Sequence, residues 1–258
     1  MEFGICCHPE SAAQLKGTGC DFIETHVGNL LVPEAGEEDF LPKKELILNS
    51  PIPVSAANCF LPGHVRVTGP DYDPFQAKHY VERAFARANR AGVRTIVFGS
   101  GKSRTMPEGY DRSRAWAQLV DFGKICGPLA EARGITVVVE PLLRRACNMI
   151  NTVSEGALLV RDVDQPNVRL LVDAFHFLGN DDSLDALVEV GPLLAHAHIA
   201  TWPERLPPGQ EDCDFAPFFR ALKEGGYDGP ISIEAKWPNM IDEAAEVLSH
   251  LRRVQENA

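Results

Sequence analysis

Four apolar runs in the second half of the chain each close on a residue that can bind a cation. Val137-Val138-Val139 ends in Glu140, Leu170-Leu171-Val172 in Asp173, Leu193-Leu194-Ala195-His196-Ala197 in His198, and Ile231-Ser232-Ile233 in Glu234. Successive members lie roughly 30 residues apart, about one strand–helix unit. If the runs are strands of one repeated architecture, all four residues open into the same mouth at similar height. Three carboxylates and an imidazole meeting in a low-dielectric cleft repel one another strongly unless a cation neutralises them. Oxygen-rich ligation with a single nitrogen suits one six-coordinate divalent ion with open positions: Mn²⁺ or Mg²⁺ by preference, with Co²⁺ or Zn²⁺ as alternatives. Any one of these residues alone could be a cap or a salt-bridged group. Their recurrence at matching strand ends is what argues for a joint site.

Two further histidines stand near this set. His196 shares a face with His198, because residues two apart on a strand point the same way. Only His198 reaches the mouth, so His196 is expected to be an interior histidine or a group supporting the ligands. His176, three residues past Asp173, belongs to the loop above the proposed ion, where it either contacts a bound hydroxyl or is solvated.

The elements that must position these residues follow from periodicity. Short apolar runs bounded by Gly, Pro or Asp predict strands at Glu2–Cys6, Asp21–Glu24, Pro53–Ala57, Thr95–Phe98, Ile135–Glu140, Arg169–Asp173, Leu194–His198 and Ile231–Glu234. Amphipathic stretches separate them. The clearest runs from Asp73 to Arg90, with Tyr80, Val81, Ala84, Phe85 and Ala88 on one face and Gly92 as the stop; another runs from Ser113 to Arg133 before Gly134. Eight strand–helix units predict an α/β fold, a single (β/α)₈ TIM barrel over residues 1–258. A doubly wound dinucleotide fold would need a Gly-x-Gly-x-x-Gly turn after the first strand, where this chain has Cys6-Cys7-His8-Pro9. The second unit is the least regular, and Pro203 to Asp214 reads as a long loop over the active-site face.

Composition narrows the classes. Hydrophobic residues at 45% and charged residues at 24% of 258 describe an ordinary globular chain with no tract able to span a bilayer. A net charge of −11 disfavours nucleic acid as a partner, since that affinity needs clustered Lys and Arg. The seven cysteines are irregularly spaced without a Cys-x-x-Cys pair, which predicts reduced thiols. The amino end has no leader pattern, and a cytoplasmic location is expected. Gly99-Ser100-Gly101-Lys102-Ser103-Arg104 reads either as a tight turn after the fourth strand or as a phosphate cradle.

Taken with these residues, several motifs resemble the sugar phosphate isomerase/epimerase family of xylose isomerase-like barrels, in its D-tagatose 3-epimerase and hydroxypyruvate isomerase branch. They are Glu140-Pro141-Leu142 with Asn151-Thr152, Asp173-Ala174-Phe175-His176, His196-Ala197-His198-Ile199, Arg205-Leu206-Pro207-Pro208-Gly209, and Leu222 through Tyr227-Asp228-Gly229 to Ile231-Ser232-Ile233-Glu234. The resemblance implies that Glu140, Asp173, His198 and Glu234 bind the metal, that His176 and Arg205 contact substrate oxygens, and that Glu140 and Glu234 handle protons. It also implies a small-molecule sugar substrate and a homo-oligomer. One departure bears on substrate identity: where the family often has an Asn-Arg pair and a further Glu, this chain reads Leu143-Arg144-Arg145-Ala146.

The expected function is therefore a divalent-metal-dependent sugar isomerase or epimerase acting on a keto sugar or related polyol ketone through an enediolate, with Glu140 and Glu234 as the acid/base pair. An inosose-type dehydratase on the same metal site, an endonuclease IV-like abasic-DNA nuclease and a barrel that binds without turnover are the competing readings.

Overall fold

The computed structural model describes residues 1–258. Its frame is a closed barrel of parallel strands: β1 (Phe3–Cys6), β2 (Phe22–His26), β3 (Val54–Asn58), β4 (Thr95–Phe98), β5 (Thr136–Val139), β6 (Val168–Asp173), β7 (Leu194–Ile199) and β8 (Ile231–Ile233). They pair in sequence order, and β1 closes on β8 through the register Phe3 to Ile231 and Ile5 to Ile233. Closure leaves no strand edge exposed. Helices at Glu37–Leu48, Pro74–Ala91, Arg112–Glu131, Val153–Val163, Leu184–Val190, Ala216–Glu224 and Met240–Asn257 surround it. All eight expected strands are present, and the long loop before Ala216 carries no strand or helix. The expected ends shift by small amounts. β2 continues past Glu24 to His26, whereas Glu140 and Glu234 stand one residue beyond β5 and β8.

Local sequence explains the best-defined helix. Asp73 is its cap, not its first turn: the carboxylate accepts hydrogen bonds from the Phe75 and Gln76 amides, and Pro74 opens the helix with no amide to leave unpaired. Gly92 ends it at φ 83°. The irregular second unit is a turn at Val27–Leu31 followed by Glu37–Leu48. Buried Arg87 ties it down by donating to the carbonyls of Leu31, Val32, Ala35 and Gly36.

The strand alternation divides the core in two. Val137, Val139, Leu170, Val172, Ala197, Ile199, Ile231 and Ile233 face outward into the large core shared with the helices. Their neighbours Val97, Val138 and Leu171 form a separate small cluster against Ala195 within the ring. Two residues further along the same strands, the inward positions are Gly99, Glu140 and Asp173, so an apolar plug lies beneath a polar mouth. Gly4 belongs to this interior packing: a Cβ there would stand 2.4 Å from the Phe22 ring on the neighbouring strand.

The segment after β4 is a structural turn in one decisive respect. Arg104 is fully buried and turns inward, donating to the carbonyls of Phe98 at 3.0 Å and Glu140 at 2.5 Å. It thereby ties the ends of β4 and β5 together and is unavailable to an external phosphate. Ser103 is equally buried and donates to the Val65 carbonyl. Replacing Arg104 with Met keeps the bulk but removes the side-chain donor to two carbonyls, leaving Phe98 only the Glu140 amide, at an expected cost of about 1–3 kcal/mol. Urea unfolding should show a lowered midpoint with an unchanged slope; a wild-type midpoint would contradict this role.

Candidate metal centre

Side-chain atoms of Glu140, Asp173, His198 and Glu234 converge so that one ligand atom from each lies within 4.8 Å of all the others. The centre of the arrangement is Nδ1 of His198, with Glu234 Oε2 at 3.0 Å and Glu140 Oε1 at 3.4 Å. Despite these distances Nδ1 makes no well-oriented hydrogen bond, and neither does buried Glu140 Oε1. Carboxylate oxygens gathered beside a ring nitrogen, without lying along its bonding direction, fit donors that converge on a shared cation. The donor set agrees, with three carboxylates and one imidazole.

Asp173 and Glu234 are each held by their other atoms. Asp173 accepts from the Phe175 amide through Oδ1 at 2.9 Å, as the cap of the helix Ala174–Gly179, which leaves Oδ2 facing the cage. Glu234 accepts from Asn58 Nδ2 at 3.3 Å through Oε1 and keeps Oε2 inward. Glu140 needs space instead: a Cβ on Gly99 would lie 2.1 Å from Glu140 Oε2. The glycine after β4 is thus explained by the carboxylate that crosses in front of it.

His176 and Arg205 both reach this cage. His176 accepts the Leu143 amide at Nδ1, so its protonated Nε2 points inward, 3.5 Å from Asp173 Oδ2 and 3.9 Å from Glu140 Oε1. Of the two sequence readings of His176, the solvated loop histidine does not hold, since the residue is buried and lies in the helix Ala174–Gly179 rather than in a loop. Arg205, at φ 62°, lays its guanidinium 4.5 Å over the Phe175 ring and donates Nη2 to Asp173 Oδ2 at 3.1 Å and Glu234 Oε2 at 2.5 Å.

Glu24 is the residue that sequence reasoning missed. Wholly buried at the centre of β2, its carboxylate lies 2.8 Å from His196 Nε2 and 2.9 Å from His198 Nε2, and accepts the Ser232 hydroxyl at 2.7 Å. His196 is therefore an interior histidine beneath the mouth, facing Glu24 and Ser232 rather than the cage. Burial works against charge on both Glu24 and His198, but their attraction outweighs it. The two histidines hold Glu24 well below the usual carboxylate range. Glu24 and Glu234, against desolvation, hold His198 well above the usual imidazole range. Glu234 is likewise lowered: desolvation opposes its charge, and His198 and Arg205 favour it. Cys6, near the same carboxylates, has its thiol pushed well up by burial and by Glu24, so it is held as a neutral thiol.

If Gly99 is the space that Glu140 occupies, Gly99→Ala should displace that carboxylate while the barrel still folds. The expected result is at least a tenfold weaker Mn²⁺ affinity by calorimetry on metal-depleted protein, on the scale of about 1.4 kcal/mol per tenfold, with wild-type circular dichroism. Unchanged affinity would show that Glu140 does not depend on the glycine.

Comparison with known proteins agrees with the barrel fold. A family model described as xylose isomerase-like TIM barrel matches residues 12–254. D-psicose 3-epimerase of Agrobacterium fabrum (strain C58) is 29% identical over 162 residues, covering 61% of this chain and 55% of the relative. The 3-dehydro-D-guloside 4-epimerase of Escherichia coli (strain K12) is 30% identical over 133 residues, covering 51% and 50%. The chain thus aligns with about half the length of these curated relatives. Among solved structures, D-psicose 3-epimerase with D-tagatose from Clostridium cellulolyticum H10 superposes with a TM-score of 0.85 at 21% identity, covering 99% of each chain. With the family model spanning nearly the whole barrel, the chain belongs to the xylose isomerase-like TIM barrel family.

Proposed function

We propose that this protein is a divalent-metal-dependent epimerase or isomerase of keto sugars or related polyol ketones, with Glu140, Asp173, His198 and Glu234 as ligands and Glu140 and Glu234 as the acid/base pair. The observation that carries the reading is the convergence of those four side chains on the inward nitrogen of His198. A bound Mn²⁺ or Mg²⁺ would act as a Lewis acid, polarising a carbonyl and offsetting the negative charge that develops when the adjacent carbon loses its proton.

The rest follows from the chain's own residues. Glu140 and Glu234 flank the cage from the ends of β5 and β8; on this reading one would take a proton and the other would deliver one from a different side. Return to the same carbon from the opposite face gives an epimer; return to the neighbouring carbon gives an isomer. His176 Nε2–H and the Arg205 guanidinium supply donors to substrate oxygens at the rim.

A recess of about 170 Å³ opens beside the cage, lined by Cys6, His8, Glu24, His26 and Asn58 among others, and on this reading it would receive the remainder of the substrate. A second hollow of about 230 Å³ shares His26 and continues past Cys59 and Tyr80. No lysine or arginine lines either space. Together with the inward commitment of Arg104, this favours a neutral, unphosphorylated polyol. The relatives named as sugar epimerases support the reaction class.

Two outcomes test the reading. In ²H₂O with Mn²⁺, the protein should place deuterium beside the carbonyl of an accepted ketose, and an epimer or isomer should accumulate. Glu140→Gln and Glu234→Gln should each lower this exchange by at least about 10²-fold, and near-normal turnover of either variant would remove it from the acid/base role. For substrate charge, Lys102→Ala should leave the KM of an accepted sugar unchanged, with the free sugar preferred over its phosphate. A lower KM for the phosphate that depends on Lys102 would overturn the neutral-substrate assignment.

A further inference from the structure

Glu24 lies outside the set that faces the cage, yet every oxygen it has is committed. Oε1 lies 2.9 Å from His198 Nε2, and Oε2 lies within 3.1 Å of the Nε2 atoms of both His196 and His198 and accepts the Ser232 hydroxyl at 2.7 Å. Glu24, His196, His198 and Ser232 are all buried, with no residue above 1% exposure, so no solvent can substitute for any of these partners. A carboxylate in its charged form only accepts hydrogen bonds. Each Nε2 facing it must therefore carry a proton. In the neutral ring, the form in which a histidine ligates a metal, that leaves Nδ1 of His198 as the nitrogen with a lone pair to offer, and Nδ1 is the atom that faces Glu140 and Glu234.

We infer that Glu24 is a positioning residue that fixes the tautomer and orientation of His198, presenting Nδ1 to the metal cage. His196 and Ser232 complete the arrangement from below, holding the Glu24 carboxylate in one orientation from two sides. These protons also exclude a rival grouping. Cys6, Glu24 and His198 also bring one ligand atom each within 4.8 Å of the others. A cation there would have to displace the proton from His198 Nε2 and the Ser232 hydroxyl contact from Glu24. The two faces of one imidazole thus have different assignments, with a proton toward Glu24 and a metal toward Glu140, Asp173 and Glu234. A carboxylate behind a ligating histidine commonly sets ligand orientation and basicity in this way.

This rests on the metal reading above, and the test separates the two. Glu24→Gln keeps the shape but replaces one acceptor with an NH₂ donor, so it can no longer accept from both rings and the hydroxyl. Mn²⁺ binding to metal-depleted wild type and Glu24→Gln is measured by calorimetry, without turnover. The expected result is a tight site in the wild type and a roughly 10- to 100-fold weaker one in the variant. Wild-type binding matched by the variant to within twofold would overturn the positioning role alone; failure of the wild type to bind would overturn both readings. If the variant does not fold, long-range ¹H–¹⁵N correlation spectra of the histidine rings in Mg²⁺-loaded wild type decide the question. A proton on Nε2 and none on Nδ1 of His198 is expected, and the reverse pattern would contradict the inference.

Discussion

Carboxylates crowded around one imidazole are the constraint on which this mouth is built. Glu24, Glu140 and Asp173 are buried, Glu234 sits partly exposed at the rim, and all four are directed at or beside His198. Such a concentration of negative charge out of water is unfavourable unless each group finds a partner. The partners divide the acids into two layers. Beneath, Glu24 is satisfied by two histidines and a serine. Above, Glu140, Asp173 and Glu234 have Arg205 and His176 at the rim but keep oxygens turned to a common centre. In the lower layer both Glu24 oxygens have partners, and the upper one has the donor set of a cation site.

The barrel makes this possible because its strands alternate. One set of side chains packs against the helices, while the other leads from Val97, Val138 and Leu171 at the base to Glu140 and Asp173 at the mouth. The apolar base holds the ring together, and the polar ends are brought together by closure of β1 on β8. Backbone details then tune the result. Arg104 fastens the ends of β4 and β5, and Gly99 leaves room for Glu140.

Much of this was legible in the chain because one local rule repeats: an apolar strand ending in a cation-binding residue. That rule finds Glu140, Asp173, His198 and Glu234, and the period of two separates His198 from His196 below it. It applies to Glu24 as well, since Phe22 and Ile23 precede it. The run is short, however, and β2 continues to His26, so Glu24 lies a layer lower than the strand ends. Its importance comes from contacts with residues 172, 174 and 208 positions away, which no local pattern encodes. Gly99 and Arg104 were hidden for the same reason. Read locally they form a glycine-rich basic turn, but the space and the acceptors that explain them belong to the neighbouring strand.

The central claim is that one divalent ion binds on the Nδ1 side of His198 among carboxylates, and metal-edge X-ray absorption of the Mn²⁺-loaded protein tests it most directly. One ion per chain is expected in a shell of oxygen with a single imidazole nitrogen and no sulfur, lost in Asp173→Asn. Sulfur in that shell would place the ion beside Cys6 and Glu24 instead, and a spectrum of solvated Mn²⁺ alone would remove the metal from the account.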